Sequence, residues 1–317
     1  MKISIVMATY NGEKYLIEQL DSLRDQTRSA DEVIIRDDGS TDSTPVLIRE
    51  YIQNNNLSDK WNFEVNKSNK GVILNFLDGA RDATGEIIFY SDQDDRWDIH
   101  KLELMEDGFK QHPDMVACYC LRHFMDENGK EIPQKLDFMT NVKVRTDSFQ
   151  KVSLTEAVRY NKSPGLCLAI KKNLIEETRD TILKNGLTHD LPIGTIAAIH
   201  DGYYVLNQKL VYYRQHSKNV SAARYNVKSR LSRIDRQIDG RVGRYEQMVA
   251  IYNMYGDQLS SRDRKNLNRA IKDTKESIEN LEKRKVGKLF CSIFRHSPMM
   301  NRWIAVNNFL ICLRRNA

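Results

Sequence analysis

Ile87-Ile88-Phe89-Tyr90-Ser91-Asp92-Gln93-Asp94-Asp95 joins four apolar residues to three carboxylates within four positions. The unbroken apolar run reads as a strand buried on both faces of a sheet. Carboxylates crowded at its end raise one another's pKa unless a cation lies among them, and their hard oxygens suit Mg2+ or Mn2+. The competing reading is a solvated acidic turn opening the next helix, where negative charge is favoured. The neighbouring segments must decide between the two.

Upstream, Lys2 to Ala8 is a second apolar run and ends in Thr9-Tyr10-Asn11-Gly12, a turn signal followed by Tyr15, Leu16, Leu20 and Leu23 at helical spacing. Val33-Ile34-Ile35 ends in Arg36-Asp37-Asp38-Gly39-Ser40-Thr41-Asp42-Ser43-Thr44, which supplies caps for a helix carrying Val46, Leu47 and Tyr51. Trp61 to Val65 is followed by Asn66-Lys67-Ser68-Asn69-Lys70-Gly71, then a helix with Ile73, Leu74, Phe76 and Leu77 that Gly85 stops. The order β-α-β-α-β-α-β predicts an α/β fold with a mostly parallel, doubly wound sheet, helices on both faces and ligands at the carboxyl ends of the strands. Every polar motif just named lies at such an end. Neither G-x-G-x-x-G after the first strand nor G-x-x-x-x-G-K-[ST] anywhere is present, which argues against a dinucleotide dehydrogenase and a P-loop ATPase. Acidic, amide-rich strand ends suit the base and ribose of a nucleotide, with a metal carrying its diphosphate.

Downstream, the patterns predict a helix over Leu102 to Phe109, a strand over Met115 to Cys120 and a hairpin turn at Asp126-Glu127-Asn128-Gly129-Lys130. Gln134 to Gln150 is weakly patterned and reads as a loop. A helix over Thr155 to Tyr160 is broken by Ser163-Pro164-Gly165, and Leu166 to Ile170 reads as a strand. His189-Asp190 precedes an apolar helix, with Asp190 at or near its start. Two short strands, Tyr203 to Leu206 and Leu210 to Tyr213, lead to Arg214-Gln215-His216-Ser217-Lys218-Asn219. Beyond Tyr225 two long, charged amphipathic helices follow, joined near Gly256-Asp257. The expected division is therefore an α/β domain over 1–225 and a basic helical region over 226–317.

The 317 residues are 40% hydrophobic and 29% charged, enough for roughly two domains at ~150 residues each. Five cysteines without CxxC or Cys/His spacing indicate reduced thiols rather than a zinc site or a disulfide framework. The N-terminal apolar run is too short for a signal peptide, and no stretch approaches the ~20 apolar residues of a membrane span. The expected location is cytoplasmic, with a peripheral contact on the inner face of the plasma membrane. That contact rests on the charge: from Asn226 to Ala317, 20 Lys and Arg face 9 Asp and Glu, within a total of +6. Trp303, Val306, Leu310 and Leu313 share a helical face between Arg302 and Arg314-Arg315, a pattern for an interfacial helix on an anionic membrane. The alternatives are docking on the body and a dimer contact, so the oligomeric state stays open. Nucleic acid is not expected as a partner, because the tail's aromatics lie on its apolar face instead of alternating with basic residues.

The succession Ala8-Thr9-Tyr10-Asn11-Gly12, Asp37-Asp38-Gly39-Ser40-Thr41-Asp42, Asn69-Lys70-Gly71 with Asn75, Ser91-Asp92-Gln93-Asp94-Asp95 with Trp97, His189-Asp190, and Tyr213-Arg214-Gln215-His216 with Asn219 resembles a family 2 glycosyltransferase. It is most similar to the bacterial rhamnosyltransferase-type branch that builds surface polysaccharides, over roughly residues 3 to 220. The resemblance implies a GT-A fold and an inverting transfer of a sugar from a nucleotide diphosphate donor to an acceptor hydroxyl. Donor candidates are dTDP-rhamnose first and a UDP-hexose second, with a lipid-linked saccharide as acceptor. It also implies roles: Thr9, Tyr10, Asn11, Asn69 and Gly71 against the nucleotide, Asp38 with Asp37 on the pyrimidine, Asp92 near the ribose, Asp94 on Mn2+ or Mg2+, and Asp190 as catalytic base. His216 falls where a metal or diphosphate ligand can sit, Arg214 near the diphosphate and Trp97 near the acceptor. Plainer readings stand beside these: Asp190 or Asp95 as a helix cap, His216 bonded to backbone, Trp97 as packing and Arg214 paired with a local acid. A nucleotidyltransferase would need a Gly/Arg/Lys-rich loop after the first strand, and a non-catalytic binder would use only the basic tail.

Overall fold

The computed structural model describes residues 1–133, 148–160, 164–185, 190–216, 234–283, 285–294 and 305–306. Its chain forms two compact units: Met1–Val152, Ser163–Arg179 and His200–Gln215 make the first, and Ser153–Lys162, Asp180–Ile199 and His216–Ala317 make the second.

In the first unit β1 (Ile3–Thr9) is buried along its whole length. That is why it reads as a continuous apolar run rather than an alternating one. It pairs in parallel with β2 (Glu32–Asp37) on one side and β4 (Ile87–Ser91) on the other, and β2 pairs in parallel with β3 (Trp61–Val65). The crossovers are α1 (Leu16–Arg24), α2 (Thr44–Asn54) and α3 (Val72–Asp82). Gly85, just before β4, is required by contact: a Cβ there would lie 2.3 Å from Ser4 Oγ and 2.7 Å from Ser4 N.

Beyond β4 the sheet continues through β9 (Leu168–Lys171), β6 (Ala117–Met125), β10 (Tyr203–Arg214) and β5 (Arg96–Trp97), in the order β3-β2-β1-β4-β9-β6-β10-β5. β9 is antiparallel to both β4 and β6, and β10 is parallel to β6. β3, β2, β1, β4, β6 and β10 therefore run in one direction, with β9 and β5 against them, and the carboxyl ends of the six share one edge.

Several expectations change in detail. The two short strands after Gly202 are one strand, β10, with register shifts between Leu206 and Lys209 and between Lys209 and Val211. The polar Asn207-Gln208-Lys209 marks a bulge inside a strand, not a break between strands. The strand expected from Met115 begins at Ala117 and runs on to Met125, and the turn at Asp126 joins it to β7 (Glu131–Ile132). Part of the expected loop is ordered as β8 (Phe149–Lys151), antiparallel to β10, while 134–147 lie outside the described residues.

α6 (Lys172–Asn185) follows β9 in the chain, and in the second unit α5 (Leu154–Tyr160) and α7 (Asp190–Ile199) accompany the helices Ile234–Tyr255, Ser261–Glu282 and Val286–Phe294. The reversal between the two long helices falls at 256–260, and Ser260 caps the second by accepting a hydrogen bond from Asp263 N at 3.1 Å. Arg244 donates to the Val158 carbonyl, and Leu281 and Leu289 form a small core with Ile238 and Val286. Among the described residues no helix is long and apolar enough to cross a membrane. Of the expected interfacial helix near Trp303 to Leu313, only 305–306 are described.

Candidate functional site

Parallel pairing in register brings three chain segments to one edge: Thr9 lies opposite Asp37, and Met7 opposite Ser91. The acid loop at the end of β4 thus sits beside the loops after β1 and β2. Asp37 is fully buried and accepts from Thr9 Oγ1 at 2.8 Å, Ser40 N at 2.7 Å and Ser40 Oγ at 2.6 Å. Ser40 Oγ in turn accepts from Asn11 N, and Asn11 Oδ1 accepts from Thr41 N, each at 2.8 Å. Asn11 has φ +47°, a left-handed conformation that asparagine tolerates better than most residues. The loops after β1 and β2 are therefore cross-tied through Asp37, Ser40 and Asn11.

Asp38, 3% exposed, does the same for the loop after β3. Its Oδ1 accepts from Asn66 Nδ2 at 2.9 Å and Lys70 N at 2.8 Å, and its Oδ2 from Gly71 N at 2.8 Å. A carboxylate offers about four lone-pair sites. Three are taken within the protein, which leaves room for one further donor at Oδ2. Asn69 is exposed and accepts from Gly71 N at 3.1 Å, and Gly71, with φ +86°, opens α3. Tyr10 presents a 47% exposed side chain at the same edge.

Within the acid loop the three carboxylates separate. Asp92 and Asp94 are half-exposed, whereas Asp95 is fully buried. Burial first, and then the charges of Asp94 and Asp92, push the Asp95 carboxyl well above the usual carboxylate range, against a hydrogen bond from Arg214 N at 3.0 Å. Its Oδ2 has no hydrogen-bond partner. Asp95 is not a helix cap, because β5 intervenes and α4 (Lys101–Gln111) starts six residues later. Gln93, between the acids, bonds Tyr10 on both sides of its amide: Tyr10 N donates to Oε1 at 2.8 Å and Nε2 donates to Tyr10 O at 3.0 Å. It also lies against Gly12, where a Cβ would meet Oε1 at 2.1 Å.

Two residues expected to face a ligand point into the protein. Trp97 is 2% exposed, its ring 3.3 Å from Lys101 Nζ and 6.2 Å from the Phe89 ring, so its place is packing beneath the acid loop. Arg214 is 1% exposed and ion-paired with Glu18, as in the plainer reading of a local acid partner. A residue at the end of β10 is carried against the acid loop because β5 pairs with β10.

Asp190 is the first residue of α7 and His216 follows β10; both belong to the second unit. The Asp190 side chain, His189 and Asn219 lie outside what the structure describes.

Sequence reasoning missed Gln93 as a tie, Glu18, Arg122 and Lys101. Arg122, on β6, lies 5.1 Å over both the Phe124 and Tyr213 rings and acts electrostatically on Asp95. Lys101 is fully buried, donates to the Leu166 carbonyl at 2.7 Å, and burial pulls its pKa down to about 8. An amide between two acids was the one available signal. Nothing local in the sequence marks Lys101 as buried.

Among the described residues no group of three or more His, Cys, Asp or Glu is placed to hold a metal by itself. The donor set present, two half-exposed carboxylates on one loop, fits Mg2+ or Mn2+ held by one or two carboxylates and completed by substrate phosphate and water. A hollow of about 430 Å³ lined by His123, Phe124, Glu131, Ile132, Pro133 and Lys209 contains none of these acids.

A model of glycosyl transferase family 2 matches residues 4–169. An uncharacterized glycosyltransferase of Nostoc sp., alr2836, is 30% identical over 220 residues, covering 69% of this chain and 66% of that protein. The chain spans 61% of the next curated relatives, uncharacterized mycobacterial proteins. Among solved structures, Staphylococcus aureus TarS 1-349 in complex with UDP and with UDP-GlcNAc gives TM-scores of 0.64 and 0.63 at 16% identity, covering 100% of this chain and 92% of that one. The mannosyltransferase PcManGT of Pyrobaculum calidifontis, in complex with GDP-Man and Mn2+, gives 0.56 at 16% identity, covering 99% and 86%. At that identity the structural likeness speaks to the fold, which is the GT-A α/β fold implied by the family resemblance.

Proposed function

Since this chain belongs to glycosyl transferase family 2, we propose that it transfers a sugar, with inversion, from a nucleoside diphosphate donor to an acceptor hydroxyl at the shared carboxyl edge of β1, β2 and β4. The observation that carries this reading is the cross-tying of the four loops after β1, β2, β3 and β4 by Asp37, Asp38 and Gln93, with Asp92 and Asp94 half-exposed and the Tyr10 ring exposed on the loops so joined.

In this reading the loops after β1, β2 and β3 hold the nucleotide. Thr9 and Asn11 shape the floor, the exposed Tyr10 ring offers a stacking face, and Asn69 and Gly71 flank the base. Asp38, with its remaining acceptor site and with Asp37 behind it, receives the imide N–H of a pyrimidine. Asp92 lies toward the ribose. Asp94 would hold Mn2+ or Mg2+, with His216 as a candidate further ligand, and such an ion supplies Lewis-acid neutralisation of the diphosphate leaving group. Asp190 would take the acceptor's proton, a contribution of typically ~10²–10⁴-fold. One carboxylate opposite the leaving group suffices for a single displacement, and hence for inversion. The catalytic domain in this reading is 1–225, and the basic region 226–317 brings the enzyme to an anionic membrane carrying a lipid-linked saccharide.

The donor proposed first is dTDP-rhamnose, from the motif pattern. A UDP-hexose is the second reading, favoured by the UDP-GlcNAc held by TarS. A thermal-shift screen of nucleotide sugars with Mn2+ separates them, since only a bound donor stabilises by mass action. A shift with dTDP-rhamnose alone supports the first reading, with UDP-GlcNAc the second. No shift with any donor contradicts both. Asp190→Asn is expected to keep the donor shift and lose turnover; retained turnover would mean another base.

A further inference from the structure

We propose that Arg214 is a positioning residue that fixes the Asp94 backbone, and through it the direction of the Asp94 carboxylate; the inference rests on the reading of Asp94 as the metal-holding acid. Arg214 ends β10 and is 1% exposed. Its guanidinium reaches three separate segments, the acid loop, the hairpin turn after β6 and the start of α1. Nε donates to the Asp94 carbonyl at 2.8 Å, one terminal nitrogen donates to the Glu127 carbonyl at 3.4 Å, and the other donates to Glu18 Oε2. The Tyr15 ring centroid lies 4.6 Å from the guanidinium carbon. Its own backbone N–H donates to Asp95 Oδ1 at 3.0 Å.

Arg214 therefore grips two consecutive residues of the acid loop, Asp94 through its side chain and Asp95 through its main chain. The first bond holds the peptide between them by its carbonyl and the second anchors the Asp95 side chain, and together they restrict the backbone that sets the Cα–Cβ direction of Asp94. The grip is itself held from behind. Glu18 Oε1 accepts from Arg96 at 3.0 Å, and Arg96 stacks on Tyr212 with 4.4 Å to the ring centroid. Gly129, with φ +79°, makes the hairpin turn that presents the Glu127 carbonyl. Lysine cannot replace this arrangement, since a single ammonium lacks the planar fork that serves several acceptors at fixed angles.

A purely structural ion pair between Arg214 and Glu18 would stabilise the fold without affecting metal binding, and the test separates the two roles. Free Mn2+ is measured by electron paramagnetic resonance during titration into the full chain at fixed UDP, for wild type, Arg214→Lys and Glu18→Gln. Binding of UDP without metal and urea stability are measured in parallel. Supporting residues around a metal ligand typically matter by ~10–100-fold in affinity. Arg214→Lys is expected to weaken Mn2+ binding about 10-fold at unchanged metal-free UDP affinity. Glu18→Gln, which leaves the Asp94 contact in place, is expected to lose stability with Mn2+ affinity within about twofold of wild type. The proposal is overturned by wild-type Mn2+ affinity in folded Arg214→Lys, or by equal losses in both variants. A wild type that shows no Mn2+ binding with UDP and none with dTDP in its place overturns the metal reading itself, a result distinguishable from either of those.

Discussion

Lys101→Met removes a fully buried amine from beneath the acid loop and keeps an unbranched stem of similar length. Burial lowers the Lys101 pKa from 10.5 to about 8, against the opposing pull of Cys120, Cys167, Asp95 and Asp92. In the unfolded chain the amine titrates near its ordinary ~10.4. Below about pH 8 both states are protonated, and the folded protein carries the full cost of the buried ammonium. Between about pH 8 and 10.5 the unfolded chain holds more protons, so stability rises with pH through that window. The displacement from 10.5 to about 8 corresponds to on the order of 3 kcal/mol, at about 1.4 kcal/mol per pH unit. The methionine variant cannot show this rise. It also loses the 2.7 Å bond to the Leu166 carbonyl and the 3.3 Å contact with the Trp97 ring, which shift its stability at neutral pH by an offset of about 1–3 kcal/mol. The pH dependence is therefore the discriminating quantity. Urea unfolding at several pH values from about 7 to 10 is expected to show wild type gaining roughly 2–3 kcal/mol on the variant, at equal m. Parallel stability curves would refute the buried, depressed amine.

Asp38→Asn turns an acceptor of three donors into an amide whose NH2 must face one of them, and a loss of about 2–4 kcal/mol in urea stability is expected, together with weaker nucleotide binding. Gln93→Ala frees the Tyr10 backbone from the acid loop; nucleotide affinity by fluorescence titration should fall by about 1–2 kcal/mol while the melting temperature moves little. Gly85→Ala places a Cβ 2.3 Å from Ser4 Oγ, whereas at Gly71 nothing lies within 4 Å of a Cβ but φ is +86°. By urea unfolding, the first should therefore cost more, about 2–3 kcal/mol of overpacking against about 1 kcal/mol of backbone strain.

The parallel half of the sheet was legible because each of its strands is an apolar run ended by a turn signal and followed by a 3.6-residue period, and those runs correspond to β1, β2, β3 and β4. The loops that meet at its edge were legible for the same reason. What the sequence concealed is the direction of side chains around β10. A bulge at 206–211 changes which residues face inward, so the burial of Arg214 cannot be counted from alternation along the strand. Likewise, three neighbouring acids look equivalent as letters. Only the pairing of β5 with β10 draws Asp95 into the interior and leaves Asp92 and Asp94 at the edge. Gln134 to Gln150, read as one loop, hid β8 at its end because three residues are too few to establish a period.

The central claim is that Asp94 couples a divalent ion to nucleotide-sugar binding at the carboxyl edge of the sheet. Calorimetric titration of dTDP-rhamnose and of UDP-GlcNAc into wild type and Asp94→Ala, with and without Mn2+, tests it most directly. The prediction is that wild type binds one of these donors more tightly with Mn2+ and that Asp94→Ala loses the Mn2+-dependent part. Mn2+-dependent binding by Asp94→Ala equal to that of wild type would contradict it.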